Sequence, residues 1–367
     1  MAAKKIRIGI AGIGRAGWGM HCSELDKYKD LYEIVAACDI EQERLDKMAQ
    51  RYPKCRTYLK YDDFLKDKNM EMVAVAVRSP EHTEFALKAL KAGKYVFLEK
   101  PIALSYADAK RLVAAAKKYP GKLYCRHNRR FEQAFNHVLE IIRSGILGEV
   151  YEIRNTVNSY QRRDDWQAII ECGGGQLNNW GPHIIDHMLQ MLESPVAEVW
   201  SDLKKVTAVG DAEDHVRIIL KGQNKRLAEV EISGGVAIPG PSYVVHGTRG
   251  TLICENGDIR LKYLDPNQKL EKITASKASP PITGSFGRQE PFKWIRKTIM
   301  VEASCPDTES DIYKYVFNAV RKGEPFPVTI EQAAEVVRIT EIVKNNSEFK
   351  EQDVKPAKAA KKGSRKK

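Results

Sequence analysis

The chain has 367 residues, 43% hydrophobic and 29% charged, the proportions of a soluble globular protein with room for two cored domains. Its formal net charge is +12, but seven of the lysines and arginines fall in the acid-free stretch from Lys355 to Lys367, so the body of the chain does not read as a nucleic-acid binder. The seven scattered cysteines form no Cys-x-x-Cys, which argues against a disulfide framework or a zinc ribbon. Met1 to Lys5 runs directly into a strand without a leader-like apolar stretch, and no segment reaches the roughly 20 apolar residues of a membrane span. The expectation is a cytoplasmic protein.

Ile6 to Ala11 reads as a buried strand, followed at once by Gly12-Ile13-Gly14-Arg15-Ala16-Gly17 and helix-compatible sequence. In that setting Gly12 allows a tight turn, Gly14 lets the backbone approach a pyrophosphate, and Gly17 lets helix pack on strand. The next strand, Tyr32 to Cys38, ends in Asp39, about 20 residues past the last glycine, where a carboxylate meets an adenosine ribose. Such an acid accepts from a 2′-OH and repels a 2′-phosphate, so NAD is expected over NADP. Asp39 could instead cap the helix beginning near Glu41, and Arg44 is close enough to moderate the preference.

Met72 to Val77 is a third strand, and Arg78 to His82, with Ser79 and His82, is the loop at its carboxyl end. Tyr95 to Leu98 is another apolar run that stops at Glu99, Lys100 and Pro101. A charged pair at the carboxyl end of a buried strand lies where open α/β sheets bind ligands. Ser105 to Asp108 resembles a helix-capping box, and Leu123 to Cys125 is a further strand. Strands alternating with helices to about residue 125 predict a doubly wound parallel sheet.

Beyond 125 the pattern changes. A helix from Phe131 to Arg143 leads into a long strand, Glu149 to Tyr160, and strand-like runs at 196–203, 214–221, 226–233, 242–247 and 250–255 predict a mainly antiparallel sheet. Residues 265–290 read as a long loop or oligomer arm, and Thr329 caps a last helix ending near Asn345. This divides the chain into 1–125, 126–350 and a basic, disordered tail, 351–367. Within the second part, Gly173-Gly174-Gly175 precedes a helix carrying Asn179, His183 and Asp186 on one face, with a kink expected at Gly181-Pro182. An imidazole with polar neighbours suits general acid/base work, although a structural histidine fits the same pattern. His183-x-x-Asp186-His187 superficially resembles an inverted zinc-binding motif, but it lacks the glutamate and a third ligand, and no metal is expected.

The ordered set G-I-G-R-A-G, L-E-K-P at 98–101, N-R-R-F at 128–131, the triple glycine, H-x-x-D at 183 and H-G-T-R-G-T at 246–251 resembles the glucose–fructose oxidoreductase/inositol dehydrogenase (Gfo/Idh/MocA) family. The resemblance runs from about residue 5 to 345. It implies an α/β architecture with an N-terminal Rossmann domain and a C-terminal α/β domain whose large, mainly antiparallel open sheet supports homo-oligomers. It also implies NAD(P)-dependent hydride transfer at a secondary alcohol or ketone of a sugar, cyclitol or glycoside. Lys100 matches the lysine that contacts the reacting hydroxyl, and His183 the proton-exchanging histidine. Asn128 matches a stretch near the nicotinamide, joining Gly12, Ile13, Gly14, Arg15, Gly17, Asp39, Ser79, His82, Glu99 and Lys100 as cofactor-site candidates. A cis Lys100–Pro101 bond fits the same pattern. Asn179 departs from the family's usual aspartate, which predicts a more easily deprotonated His183 or proton duties shifted to Lys100 or Asp186. Tyr160, Arg163, Trp166, Trp180 and Asp186 are the candidate substrate contacts. Two other functions fit the same residues: a redox-neutral, NAD-assisted lyase or glycosidase, and a non-enzymatic NAD-binding regulator.

Overall fold

The computed structural model describes residues 4–270, 272, 290–302 and 311–349. The first sheet contains β1 (Ile6–Ala11), β2 (Tyr32–Cys38), β3 (Arg56–Tyr58), β4 (Met72–Val75), β5 (Tyr95–Leu98) and β6 (Leu123–Cys125), all parallel, in the order β3-β2-β1-β4-β5-β6. The order reverses between β1 and β4, so the connections leaving these paired strands run in opposite directions and leave a crevice at their carboxyl ends. Apolar clusters cover both faces of this sheet, which is why β4 and most of β1 and β5 read as unbroken hydrophobic runs. Two short elements escape the sequence reading, β3 and the helical turn Tyr61–Leu65, because neither is long enough to show periodicity.

The second sheet contains β7 (Val150–Asn158), β8 (Val196–Lys204), β9 (His215–Gly222), β10 (Leu227–Ser233), β11 (Tyr243–Gly247), β12 (Gly250–Glu255), β13 (Asp258–Leu264) and β14 (Trp294–Met300). Their order is β14-β13-β12-β11-β7-β10-β9-β8, antiparallel except for the β7–β10 pair. One face carries the core, with Ile153, Val216, Ile218, Val230, Val245 and Leu252 packed against helix Gly181–Leu192 and its neighbours. The other face presents a row that crosses every strand: Trp200, Ile219, Glu229, Arg154, Val244, Ile253, Arg260 and Thr298. Trp200 is 54% exposed. β13 and β14 are additions to the sequence reading. Asn256-Gly257, both at positive φ, form the turn that joins β12 to β13, and that dipeptide between alternating runs was a legible hairpin signal.

After β14 the chain returns to the first sheet. Helix Ile312–Lys322, also missed from sequence, buries Ile312, Tyr313, Val316 and Phe317 there. The final helix, Ile330–Asn345, starts with the expected capping box at Thr329 and Gln332. It turns Ala333, Ala334 and Val337 to the first core and Val336, Ile339 and Val343 to the second, so one rigid element ties both sheets together. Most of the 265–290 stretch, Cys305 and the basic tail lie outside the described residues. Among the described residues no helix is long and apolar enough to cross a membrane.

Candidate active site

At the crevice, the turn after β1 has the geometry its glycines predict. Gly12 adopts φ +90°, and a Cβ there would lie 2.5 Å from the Ala76 carbonyl oxygen; a Cβ on Gly17 would lie 1.9 Å from that of Gly12. At Gly14 a Cβ would meet nothing within 4 Å, so the backbone faces open space where a diphosphate can approach. Asp39 is not the N-cap of the helix Gln42–Arg51, whose N-cap is Glu41, but its carboxylate ties the glycine turn to the start of that helix. Its Oδ2 accepts the Ile13 N–H at 2.6 Å, fixing the glycine turn, while Oδ1 accepts the Glu41 N–H at 3.0 Å. Arg44 reaches both oxygens at 3.4 Å and is half exposed. The turn and the β2 end thus fit a nicotinamide dinucleotide: open backbone for phosphates, a carboxylate for a ribose, and Arg15 exposed at the rim.

Below the end of β5 the charges are locked away. Glu99 is buried, and its carboxylate meets His21 Nε2 and Arg126 Nη1, each at 3.0 Å, and accepts the Lys100 N–H at 3.0 Å. Arg126, 0% exposed, also donates to Glu24 at 2.5 Å, and His21 Nδ1 meets the Tyr313 hydroxyl at 2.5 Å. Burial works to raise the Glu99 pKa, but the charges of Arg126 and His21 overcome it and hold the carboxyl far below its usual range. Glu99 therefore faces a buried network, not the open crevice. His82 is likewise a brace, with its ring nitrogens on the carbonyls of Pro101 at 2.6 Å and Val77 at 3.0 Å. Ser79 is buried in the turn before it, and the Lys100–Pro101 bond is cis.

The two halves meet at Lys100. Its Nζ donates to the Asn179 backbone carbonyl at 2.8 Å, four residues before His183. Burial, followed by the charges of Arg126, Arg15 and Arg129, brings its pKa down to about 8 against the opposing pull of Glu99. His183 is buried, and its Nδ1 has no hydrogen-bond partner among the described residues. Burial, then the neighbouring Lys100 charge, holds this imidazole well below its ordinary pKa, so it is neutral near pH 7. Trp180 packs edge-on to His183 and lies 4.4 Å under the Arg129 guanidinium. The helix breaks at Trp180 into the turn Gln176–Asn179 and helix Gly181–Leu192, with Pro182 in the first turn of the second piece, where its missing N–H does no harm.

Other candidates lie elsewhere. Asp186 is clamped by Arg130 through both oxygens, with His127 at 3.9 Å, so its carboxylate is committed to a structural ion pair. His187 is held by the Tyr243 hydroxyl at 3.0 Å and the Arg129 carbonyl at 2.9 Å. Asp186 and His187 are therefore held by different partners, while His183 Nδ1 has none among the described residues. Asn128 is buried in the turn Asn128–Phe131. Tyr160, 63% exposed, bridges to Gly235, and Trp166 begins a short turn. Arg163, paired with Asp165, lines a narrow cleft beside Asn179, together with Gln167, Gln176 and Glu213. The Oε1 atoms of Gln167 and Gln176 are buried with no partner among the described residues. These glutamines, Glu213, His21 and Arg126 were missed from sequence; isolated polar residues in loops and strand exits give no pattern to read.

The first sheet matches the model described as "Oxidoreductase family, NAD-binding Rossmann fold" over residues 6–127, and the second matches the GFO/IDH/MocA C-terminal domain over 135–253. The chain belongs to the Gfo/Idh/MocA oxidoreductase family. It is similar to the scyllo-inositol 2-dehydrogenase (NADP(+)) IolW of Bacillus subtilis, 25% identical over 349 residues and 94% of each chain. It is also similar to the myo-inositol 2-dehydrogenase of Thermotoga maritima, 26% identical over 257 residues, covering 68% of this chain and 75% of that one. Among solved structures, an NAD-binding protein from Listeria innocua shares the fold with a TM-score of 0.77 at 23% identity, covering 93% and 94% of the two chains. Membership of this family makes the chain an oxidoreductase.

Proposed function

We propose that this oxidoreductase acts on a secondary alcohol or ketone of a neutral polyol, cyclitol or sugar, with Lys100 and His183 as its catalytic residues. When bound, the nicotinamide dinucleotide supplies the hydride acceptor or donor; Gly12 to Gly17, Asp39 and Arg15 are the residues that hold it. The observation that carries the reading is the junction itself. An ammonium from the first domain is hydrogen-bonded one turn from an imidazole of the second, whose Nδ1 is unmet.

In the oxidative direction the neutral His183 takes the hydroxyl proton of the substrate. Lys100, still an ammonium at pH 7, stabilises the oxygen as it gains negative charge, an interaction stronger in the transition state than in the ground state. Asn179 fits this division of labour. An aspartate there would favour imidazolium, whereas the amide leaves His183 ready to accept a proton. The unmet acceptors of Gln167 and Gln176 suit the hydroxyl donors of a polyol ring.

The Asp39 carboxylate supports NAD as the preferred dinucleotide, with Arg44 limiting the margin. The open face of the second sheet supports a homo-oligomer, since its row of Trp200, Ile219, Val244 and Ile253 has no covering element among the described residues. The test is a panel of inositols, hexoses and keto-sugars with NAD⁺ and NADP⁺, read by absorbance of the reduced nicotinamide. Steady accumulation with a neutral polyol is the expected result. Product without net reduction would instead establish the redox-neutral lyase, and no turnover with any of them would overturn the substrate class.

A further inference from the structure

Beneath the triple glycine lies a carboxyl group that the reaction above does not use. Glu213, just before β9, is 3% exposed and pressed against the backbone of Gly175, where a Cβ would lie 2.1 Å from its Oε1. That oxygen accepts the Leu177 N–H at 3.0 Å, and the Glu213 carbonyl accepts the Gln176 N–H at 3.0 Å. The first N–H groups of a helical turn have no partner inside the turn, so these two bonds fix where the turn begins. The same turn ends at Asn179, whose carbonyl oxygen receives Lys100 Nζ, and the chain then passes through Trp180 to His183.

We propose that Glu213 is a positioning residue for the catalytic pair: its carboxyl group anchors the turn Gln176–Asn179, and the Asn179 carbonyl in turn sets the place and the titration of the Lys100 amine. The proposal rests on Lys100 and His183 as the reacting groups. The glycine triplet gains a reason from it. Gly175, at φ +98°, is the residue that lets the carboxyl group approach the turn, and Gly174 packs the same segment against the Gln167 and Ile169 carbonyls. Charged groups facing Glu213 are Lys344 of the final helix and Asp214 beside it. Those facing Lys100 are Glu99, Arg126, Arg15 and Arg129, with His183 across the crevice. The hydrogen-bonded turn Gln176–Asn179 connects Glu213 to Lys100.

The test needs no substrate. Acylation of Lys100 by acetic anhydride, quantified by peptide mass spectrometry across pH in the full-length protein, reports the midpoint of the amine directly. The wild type is expected to titrate near the value brought down by burial, about 8. Glu213→Gln keeps an oxygen acceptor for Leu177 and is expected to retain that midpoint. Glu213→Ala is expected to move it by about one unit, the change that follows from disturbing one hydrogen bond to a charged group. Glu213→Asp retains a carboxyl group one methylene too short for the Leu177 N–H, and is expected to move the midpoint in the same way if the alanine variant fails to fold. With a substrate in hand, the alanine and aspartate variants should lower kcat on the order of 10²-fold with KM for the dinucleotide unchanged. Midpoints equal in all variants, or shifted equally by glutamine, would overturn the proposal. A wild-type enzyme that turns over no polyol would defeat the substrate assignment and leave the labelling result standing.

Discussion

The two halves of the crevice solve opposite problems. On the first-domain side, the carboxylates and His82 near the end of β5 have partners, Glu99 with His21 and Arg126, His82 with two carbonyls and Asp39 with two N–H groups, while Arg126 Nε and His127 Nδ1 are buried without a hydrogen bond among the described residues. On the second-domain side, His183 Nδ1 and the side-chain oxygens of Gln167 and Gln176 are buried without partners among the described residues. A buried polar atom left unmet is costly unless a ligand, an ion or water supplies its partner. In the function proposed above, the first domain holds the dinucleotide, and His183, Gln167 and Gln176 are the groups that a substrate would complete.

The comparison breaks most sharply at Lys100 and His183. Lys100→Ala or His183→Ala should lower kcat by about 10²–10⁴, with dinucleotide affinity in a fluorescence titration nearly unchanged. A smaller but still large effect is expected in the finished network. Arg126→Leu leaves the buried Glu99 with only His21 and the Lys100 N–H, and should cost roughly 3 kcal/mol in urea unfolding. The sign of the pH dependence follows from Glu99. Because its folded-state pKa is depressed, its stabilising contribution is full above the ordinary glutamate value of 4.5 and is lost as pH falls below it. Acid unfolding of the wild type should show this loss, and Arg126→Leu should show a smaller one, since His21 and Lys100 still favour the carboxylate.

Gly175→Ala should cost roughly 2–4 kcal/mol, from positive φ and the clash with Glu213, measured by the same unfolding curves. The smallest effect should be at the ribose. Asp39→Ser should move the NAD-to-NADP ratio of kcat/KM by about tenfold toward NADP, since Arg44 is then free of its carboxylate partner.

What could be read from the chain divides along the same line. The glycine turn and Asp39 follow the spacing of a dinucleotide-binding strand–turn–helix, and the β5 exit shows as an apolar run that stops in charges. The paired strands 196–204 through 250–255 were visible as alternation because one face is core and the other is open. Asp186 shows where such reading stops. Its place near His183 on the helix was legible, but its capture by Arg130, a residue more than fifty positions earlier, was not. Glu213 and Gln176 converge for the same reason: long-range packing, with no periodic signal, brings them under the glycines.

The most direct test of the shared site is the pH dependence of single-turnover polyol oxidation, followed by absorbance of the reduced nicotinamide. An active ammonium at Lys100 predicts a falling limb with a midpoint near about 8, absent from Lys100→Arg, whose charge persists to much higher pH. A rate that stays level through that range, or an identical limb in the arginine variant, would contradict it.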